Sequence, residues 1–544
     1  MKVWSICLQS IAIVFLVCPI PAQADGLKRT ETGLTYYQSG NYPAAIETWK
    51  QALKEIADPN QQAALLENLA RTYQKIGQAQ PEIDAWNQLV TLHRLLQNQS
   101  ALARILTEKA QALSRQGQAQ NALVLLCDQS NLQACGETSA IGLARKVGDQ
   151  RTEAASLGSL GEVYRLQGDY DRAIEVLESA LKLATELKIP TFVAAANNSL
   201  GNTLSNRAAT RYRKSVAFAV QDPVESKKLT QHGQQFDRQA LHYYQASLDQ
   251  PTIDRVTQLQ ALTNVIPIYQ RLNEEAAANR YWTQATQLLD QLPPSRVSAY
   301  GAIDLARLSR PVGMRCGEGA AAAQAERLLQ KGQAIAVTIG DQRARSFALG
   351  ALGNLAECAG QWDGALNYSQ QAILASQLAD RDSLYLWEWQ RGRILKQKGD
   401  AVGAIAAYNR SIVVLEQVRL EMVQANRDVQ FDFRDTIDPI YRELVDLQLS
   451  QETTIASSQL DTTLSKTKET LKSNPKPNNL KSTLATLDAL KIAELQNYFG
   501  NDCGIVIAKD RIDQRVQQDA AVLTTVIGAD RTAVIVSLIE LSRL

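Results

Sequence analysis

The chain has 544 residues, 45% of them hydrophobic but only 6% aromatic, a length that excludes one ordinary core and implies several domains or a repeat array. Its 57 basic and 56 acidic residues leave a net charge of +1, so there is no global field to draw in nucleic acid, and nucleic-acid binding is not expected. Ala, Leu and Gln dominate and no long β-branched alternation precedes residue 500, which predicts helices over most of the length.

The first 24 residues stand apart. Lys2 supplies a positive start, Trp4 to Val17 is almost uninterruptedly apolar, and Ala22-Gln23-Ala24 has the small-x-small form of a cleavage site. This predicts a secretory signal peptide over residues 1–24. The apolar run, near 14 residues, is shorter than the roughly 20 needed to cross a bilayer as a helix. The chain is therefore expected to be exported, periplasmic or extracellular, with no stable membrane span after signal removal. In an oxidising space cysteines can pair. Cys127 and Cys135, eight apart across a loop-like stretch, would pin an irregular connection; Cys316 and Cys358 fall in successive repeats and could also meet. The alternative for all four is a thiol packed as a small hydrophobe.

From Gly33 onward one spacing recurs. TGLTYYQSGNYPAAIETWKQAL carries Gly33, Tyr36, Gly40, Tyr42, Ala45, Trp49 and Ala52. LARTYQKIGQAQPEIDAWNQL keeps Ala70, Tyr73, Gly77 and Trp86 but has Glu82 where the alanine should be, which predicts looser packing there. Ala110, Gly117, Ala122 and Leu126 follow in the third copy. The clearest copy is residues 158–190, with Leu160, Gly161, Tyr164, Ala173, Leu177 and Ala180 spaced as a two-helix hairpin requires. Small residues let the helices approach and large ones fill the gaps. Gly168-Asp169 ends the first helix and Pro190 closes the second.

The next copy opens at Gly201, but Ala240 of its second helix follows 39 residues later instead of 12, an insertion of about 27 residues at about 207–234. The insert holds Arg207, Arg211, Arg213, Lys214, Lys227 and Lys228. This basic patch reads as the solvated face of two lengthened helices, with an acidic partner or a lipid head group as the alternative. The array resumes with Tyr269, Ala278, Trp282 and Ala285, a degenerate copy from Ile303 to Ala336, then Gly353, Gly360, Trp362, Ala365 and Ala372, and closes with Gly392, Gly399, Ala404 and Tyr408. A unit of this size cannot bury its apolar face alone, so about nine copies over residues 27–415 predict a stacked solenoid.

The recurring order Leu-Gly, Tyr, Gly, Ala, aromatic, Ala resembles the tetratricopeptide repeat (TPR) family, most fully at Leu160, Gly161, Tyr164, Ala173 and Ala180. The resemblance implies an all-α fold, a right-handed superhelical solenoid of helical hairpins whose first helices line a concave groove.

Residues 411–450 read as long amphipathic capping helices without repeat spacing. Residues 451–482, rich in Ser, Thr, Asn and Lys and containing Pro475 and Pro477, read as a flexible linker. Residues 483–544 begin with a helix that carries Leu484, Leu487, Leu490, Leu495 and Phe499 on one face, and they contain a single expected strand at 532–541. A lone strand has no partners for its backbone groups, so this end reads as a short, incomplete α/β piece. The order of repeats, FDFRDTIDPIYRELVDLQL, linker, LDALKIAELQNYFGNDC and strand resembles TPR proteins bearing a CHAT domain, a caspase-like peptidase domain common in cyanobacteria. Arg434, Tyr441 to Leu449, Ala493 to Tyr498, Asp502, Cys503 and Ala533 to Leu541 carry that resemblance. It implies a downstream histidine and cysteine acting as base and nucleophile. No histidine follows His242, so the dyad has no counterpart. Residues 483–544 are thus expected to be the N-terminal fragment of a CHAT-like domain, with Cys503 a small packed residue and no enzyme activity in this chain.

Other chemistry is sparse. His93, His232 and His242 have no cysteine or carboxylate at metal-ligand spacing, so no metal is expected. No phosphate-cradling or dinucleotide-binding glycine loop occurs, so no cofactor is expected either. Trp49, Trp86 and Trp282 occupy packing positions of second helices. By spacing from each copy's glycine, the side chains expected to face the groove are Arg71, Gln74, Glu162, Arg165, Asn198, Asn202, Asn354, Arg393 and Lys396. Amides and guanidinium groups suit the backbone and carboxylates of an extended peptide. The expected function is an exported protein-interaction scaffold that binds a protein or peptide partner without catalysis. The alternative is the regulatory half of a caspase-like cysteine peptidase completed in trans or by sequence beyond residue 544.

Overall fold

The computed structural model describes residues 21–128, 132–309, 319–378, 383–425, 437–463, 478–499, 521–527 and 532–538. The expected signal peptide falls outside them except for Pro21–Ala24, which open the first helix. Nine helical hairpins follow among the described residues. They are α1 (Pro21–Gln38) with α2 (Tyr42–Glu55), α3 (Pro59–Ile76) with α4 (Ala79–Leu95), and α5 (Gln99–Arg115) with α6 (Ala119–Leu126). A short α7 (Ala140–Val147) intervenes before α8 (Gln150–Leu166) with α9 (Tyr170–Glu186), α10 (Pro190–Phe218) with α11 (Pro223–Leu248), and α12 (Arg255–Arg271) with α13 (Glu275–Asp290). The last three are α14 (Arg296–Leu308) with α15 (Gly319–Ile339), α16 (Gln342–Cys358) with α17 (Trp362–Gln377), and α18 (Leu384–Gln397) with α19 (Ala401–Ala425).

The helix boundaries follow from a two-residue punctuation. Gly40, Gly148, Gly168 and Gly340 all have left-handed φ, between 72° and 78°. The residue after each, Asn41, Asp149, Asp169 or Asp341, caps the next helix by accepting a backbone N–H with its side chain. Glycine takes the left-handed turn without the Cβ penalty, and a short polar side chain then satisfies an orphan donor.

Within a hairpin, a small residue of the first helix faces a large one 16 positions on. The differences 49 − 33, 177 − 161 and 408 − 392 are all 16, and a Cβ on Gly33, Gly161 or Gly392 would run into Trp49, Leu177 or Tyr408. Gly201 meets Tyr244 at a separation of 43, which is 16 plus the inserted 27. The insert is therefore taken up in phase, as extra length in α10 and α11, and the packing resumes beyond it. Trp49 and Trp86 are 1% and 0% exposed at the same position of the first two hairpins.

First helices also touch one another along the array: α5 on α8, α8 on α10, α10 on α12, α12 on α14, α14 on α16 and α16 on α18. No comparable pairing joins successive second helices among the described residues. Closer spacing of first helices puts them on the inner side of the curve. The curve returns on itself, because Ile339 of α15 packs into the cluster of Tyr42, Trp49, Leu69, Tyr73 and Ile76. At the same seam Gly77 lies against Arg296 and Asp341, so that a Cβ there would collide with both side chains.

Beyond the hairpins, α20 (Asp438–Thr463) and α21 (Asn478–Phe499) extend the core of the last one. Ile440, Tyr441, Leu444 and Leu447 pack with Tyr408, Leu415, Leu490 and Ala493. Two expectations are corrected here. The linker expected at 451–482 is helical at 451–463 and again from 478. No proline precedes Pro475 in it, so nothing stops α20 from propagating past its amphipathic part. The strand expected to be alone has a partner: β1 (Ala521–Ile527) pairs antiparallel with β2 (Thr532–Leu538), Thr524 opposite Ile535. In β1, AVLTTVI, five of seven residues are β-branched, which favours a strand. Cys503, Arg434, Pro475 and Pro477 lie outside the described residues.

Two outcomes follow from this packing. Gly161→Val should destabilise the fourth hairpin by about 1–3 kcal/mol through overpacking against Leu177, whereas Gly158→Ala, where a Cβ meets nothing within 4 Å, should stabilise it by about 0.5–1 kcal/mol; urea denaturation of both variants checks the pair. At the seam, burial outweighs the Ala344 N–H and the Arg296 charge and holds the Asp341 carboxyl above the usual carboxylate range. A raised carboxyl costs stability as pH climbs through its folded value, and the cost is absent below the unfolded value. Asp341→Asn keeps a capping oxygen without the charge. Its urea midpoint should exceed the parent's at neutral pH, and the gap should narrow as pH falls into the acid range.

Candidate functional site

On the inner face the polar side chains of successive first helices are joined to each other. Arg71 of α3 binds Glu108 of α5 at 3.1 Å, and Arg104 of α5 returns to Glu67 of α3 at 2.7 and 2.9 Å. Burial would raise the Glu67 carboxyl, but the hydrogen bonds and charges of Arg104 and Arg71 outweigh it and hold the group below its ordinary value. Gln111 of α5 donates to Ser159 of α8 at 2.8 Å. Asn198 of α10 approaches Gln260 of α12 at 3.4 Å, and Asn264 of α12 donates to Asn202 of α10 at 2.7 Å. Farther along, Arg393 of α18 makes a two-pronged pair with Glu357 of α16 at 3.0 and 3.1 Å and stacks over Trp389.

The nine side chains that spacing assigns to the groove thus divide. Arg71, Arg165 and Arg393 are each paired with a carboxylate; the partner of Arg165 is Glu162, one turn earlier on the same helix. Asn202 accepts from both Tyr244 and Asn264 at 2.7 Å. Asn198 is 4% exposed, and its Oδ1 has no hydrogen-bond partner among the described residues. Asn354 and Gln74 are half-buried, and Lys396 is exposed. The fold brings Glu162, Arg165, Asn198 and Asn202 into one neighbourhood on α8 and α10. It leaves Arg71 and Gln74 on α3, and Asn354, Arg393 and Lys396 on α16 and α18, at other stations of the array. Spacing identified positions on the inner face, but not the acids that neutralise them: Glu108 and Glu357 come from the neighbouring repeat, and Glu67 lies one turn before Arg71 on α3.

The neighbourhood of α8 and α10 also holds a cavity of about 650 Å³. Ala154, Ala155, Gly158, Ala195, Ala196 and Ser199 form small-residue walls, Phe192 adds an aromatic edge, and Gln111, Glu162 and Gln260 bring polar groups. Ser114, in its lining, has a buried hydroxyl without a partner among the described residues. Arg115 at the cavity pairs with Glu82 at 2.5 Å. Glu82 was expected to loosen its hairpin. Instead it is 4% exposed, receives the Trp86 indole N–H at 3.4 Å, and links α4 to α5 through Arg115. Burial pushes its carboxyl up against the opposing Arg115 charge.

The long hairpin is anchored at its base by a buried charge. Asp237 of α11, 0% exposed, is held by Arg271 of α12 at 2.5 and 3.0 Å and by the Tyr212 hydroxyl of α10 at 3.0 Å. Burial, followed by the Asp237 charge, drives the Tyr212 phenol well above its ordinary value. Arg207 pairs with Asp171 at 3.0 Å and stacks on Phe236, so this member of the basic patch is structural.

Cys127 and Cys135 form a disulfide that closes the irregular stretch between α6 and α7. Cys358 is also disulfide-bonded, and Cys316 lies outside the described residues. His93 is buried and held below its ordinary pKa by burial and by Arg104, whereas His232 and His242 are exposed. Among the described residues no group of three or more His, Cys, Asp or Glu is placed to hold a metal, and no helix is long and apolar enough to cross a membrane.

The tetratricopeptide repeat family matches residues 156–191, the hairpin of α8 and α9, and a family described as Rapsyn N-terminal myristoylation and linker region matches residues 22–98. No curated protein sequence matches the chain. Among solved structures, yeast Tom70 is similar at 13% identity over 88% of this chain and 97% of its own, with a TM-score of 0.27. The signal-transduction ATPase with a tetratricopeptide repeat sensor from Pyrococcus horikoshii is similar at 12% identity over 75% of this chain and 55% of its own, with a TM-score of 0.40. The Rap protein complexed with competence and sporulation factor is similar at 13% identity over 73% of this chain and 98% of its own, with a TM-score of 0.33. The chain is an all-α, TPR-like solenoid on the strength of its own helices and their packing.

Because Asp237 is buried with its charge paired, Asp237→Ala leaves Arg271 uncompensated and should cost about 3–5 kcal/mol. Tyr212→Phe removes one hydrogen bond and should cost about 1 kcal/mol. Denaturation midpoints of the two variants test that order.

Proposed function

We propose that the protein is an exported interaction scaffold that binds an extended segment of a protein or peptide along the inner face of its solenoid, at the cavity between α8 and α10, without turnover. The cavity carries the reading: small-residue walls offer room for a side chain, and its polar groups can meet a peptide backbone. Arg71, Arg115, Arg165 and Arg393 already face carboxylates, so the groove has little unpaired positive charge for an acidic tail. The preferred occupant is therefore a neutral segment that anchors an apolar side chain. Export is supported by the apolar leader and by the disulfide of Cys127 and Cys135.

For residues 483–544 we favour the N-terminal fragment of a CHAT-like domain. The support is the order of its elements: Tyr441 and Leu444 of α20 pack on Leu490 and Ala493 of α21, and an antiparallel hairpin follows. In that arrangement the solenoid recruits and the C-terminal module receives the signal.

The test is a peptide array probed with the purified chain, followed by titration of the best binders. Ala196→Trp fills the cavity and should weaken binding by at least about tenfold, the scale of one lost anchor side chain. Binding unchanged by the filled cavity would sink the site, and cysteine-dependent cleavage of the bound peptides would sink the non-catalytic reading.

A further inference from the structure

Among the described residues, the tip of the long hairpin gathers several exposed apolar side chains. From Val216 to Val224 every residue is exposed, in the order Val-Ala-Phe-Ala-Val-Gln-Asp-Pro-Val. Val216 is 77% exposed, Phe218 41%, Val220 92% and Val224 80%. Ordinary surface valines are scattered; four large apolar side chains within nine residues form a cluster. The backbone that presents them is firm. Ser215 of α10 bonds the Ser226 carbonyl at 2.8 Å and the Thr230 hydroxyl at 2.7 Å, and Tyr212 packs on Gly233. Phe218 lies six residues beyond Tyr212, a projection of about 9 Å in a helix.

Cations sit directly behind this tip. Between residues 211 and 228 there are five basic residues, Arg211, Arg213, Lys214, Lys227 and Lys228, against two acids, Asp222 and Glu225. Lys214 precedes Phe218 by four residues and Lys227 follows Pro223 by four, so each lies one turn, about 6 Å, back from the apolar end of its helix. Of the two acids, Asp222 caps α11 by accepting the Glu225 N–H at 3.0 Å, and Glu225 lies 3.5 Å from Lys228.

We propose that this tip inserts into an anionic phospholipid surface, Val216, Phe218, Val220 and Val224 entering the boundary between head groups and acyl chains while the exposed Lys227 and Lys228 meet the phosphates. Shape and charge distinguish this occupant from a protein partner. Successive helical residues are turned about 100° apart, so Val216 and Phe218 point to nearly opposite sides of α10, and Val224 belongs to the other helix. An apolar knob with no single face suits a fluid medium that surrounds it; a docked protein needs a one-sided stripe. A basic ring one turn behind an apolar tip matches the short depth, about 5–10 Å, of interfacial insertion. Asp222 and Gln221 at the apex hold the insertion shallow. The basic patch of the insert thereby acquires a role for its outer members, while Arg207 serves the base.

The experiment uses the mature full-length chain and sedimentation with vesicles. Vesicles of equal parts phosphatidylglycerol and phosphatidylcholine should bind the protein, and phosphatidylcholine alone should bind it markedly less. The triple variant Val216→Ser, Val220→Ser, Val224→Ser, altered only at exposed positions, should keep its circular dichroism and lose about tenfold or more in partitioning. The pair Lys227→Glu and Lys228→Glu should abolish the preference for anionic vesicles. In an independent readout, Val220→Trp should shift its emission to the blue on anionic vesicles and be quenched by brominated acyl chains. Absence of vesicle binding at low salt, a triple variant that binds like the parent, or self-association or protein capture lost in the triple variant without vesicle binding would each overturn the proposal.

Discussion

The structure depends on one steric complement, a small residue on a first helix set against a large one 16 positions later on the second. Where glycine stands opposite Trp49, Leu177, Tyr244 or Tyr408, the two helices approach until the large side chain lies on bare backbone. That contact fixes the geometry of each hairpin and leaves its outer faces apolar, so each hairpin must be covered by the next. The insertion in the fifth hairpin illustrates how strong the constraint is. Twenty-seven added residues lengthen both helices equally enough that Gly201 still finds Tyr244.

A second layer of specificity is polar. Because first helices lie closest together, their side chains bond across repeats, through Arg71 with Glu108, Arg104 with Glu67, Asn202 with Asn264 and Arg393 with Glu357. These pairs set the pitch from one hairpin to the next, and they remove unpaired charge from the inner face. Where α8 and α10 carry alanine, glycine and serine, the inner face recedes into a cavity. The return of α15 onto α2 and α3 through Ile339, with Asp341 and Arg296 against Gly77, is a further cross-repeat contact. It makes the curvature of the array a property held by side chains at both ends of one circuit.

Much of the hairpin architecture was legible in residue order. The glycine-then-cap punctuation at Gly168-Asp169 and the recurrence of Gly33, Gly161 and Gly392 are local signals, and helix ends depend on local backbone chemistry. Three elements differ from what residue order suggests, each for its own reason. Glu82 looked like a packing defect because Arg115 comes from the next hairpin. The strand at 532–538 is not solitary: the β-branched run AVLTTVI just upstream is the local signal for its partner β1. The helical stretch at 451–463 was hidden by a polar composition that says little about propagation from a helix already formed.

By itself, then, the sequence determined the unit: a helical hairpin of known length, its turns, its buried small and large residues and the phase of the insertion. These follow from interactions within some 35 residues, where chain position fixes spatial position. Tertiary structure alone decided which inner-face cations meet acids, where the walls recede into a cavity, that the curve closes through Ile339, and that the tip at 216–224 stands clear with its valines uncovered. Each of these depends on the rotation from one repeat to the next. That rotation is a small angle set by many contacts, and it accumulates over nine hairpins into placements that no spacing in the chain encodes.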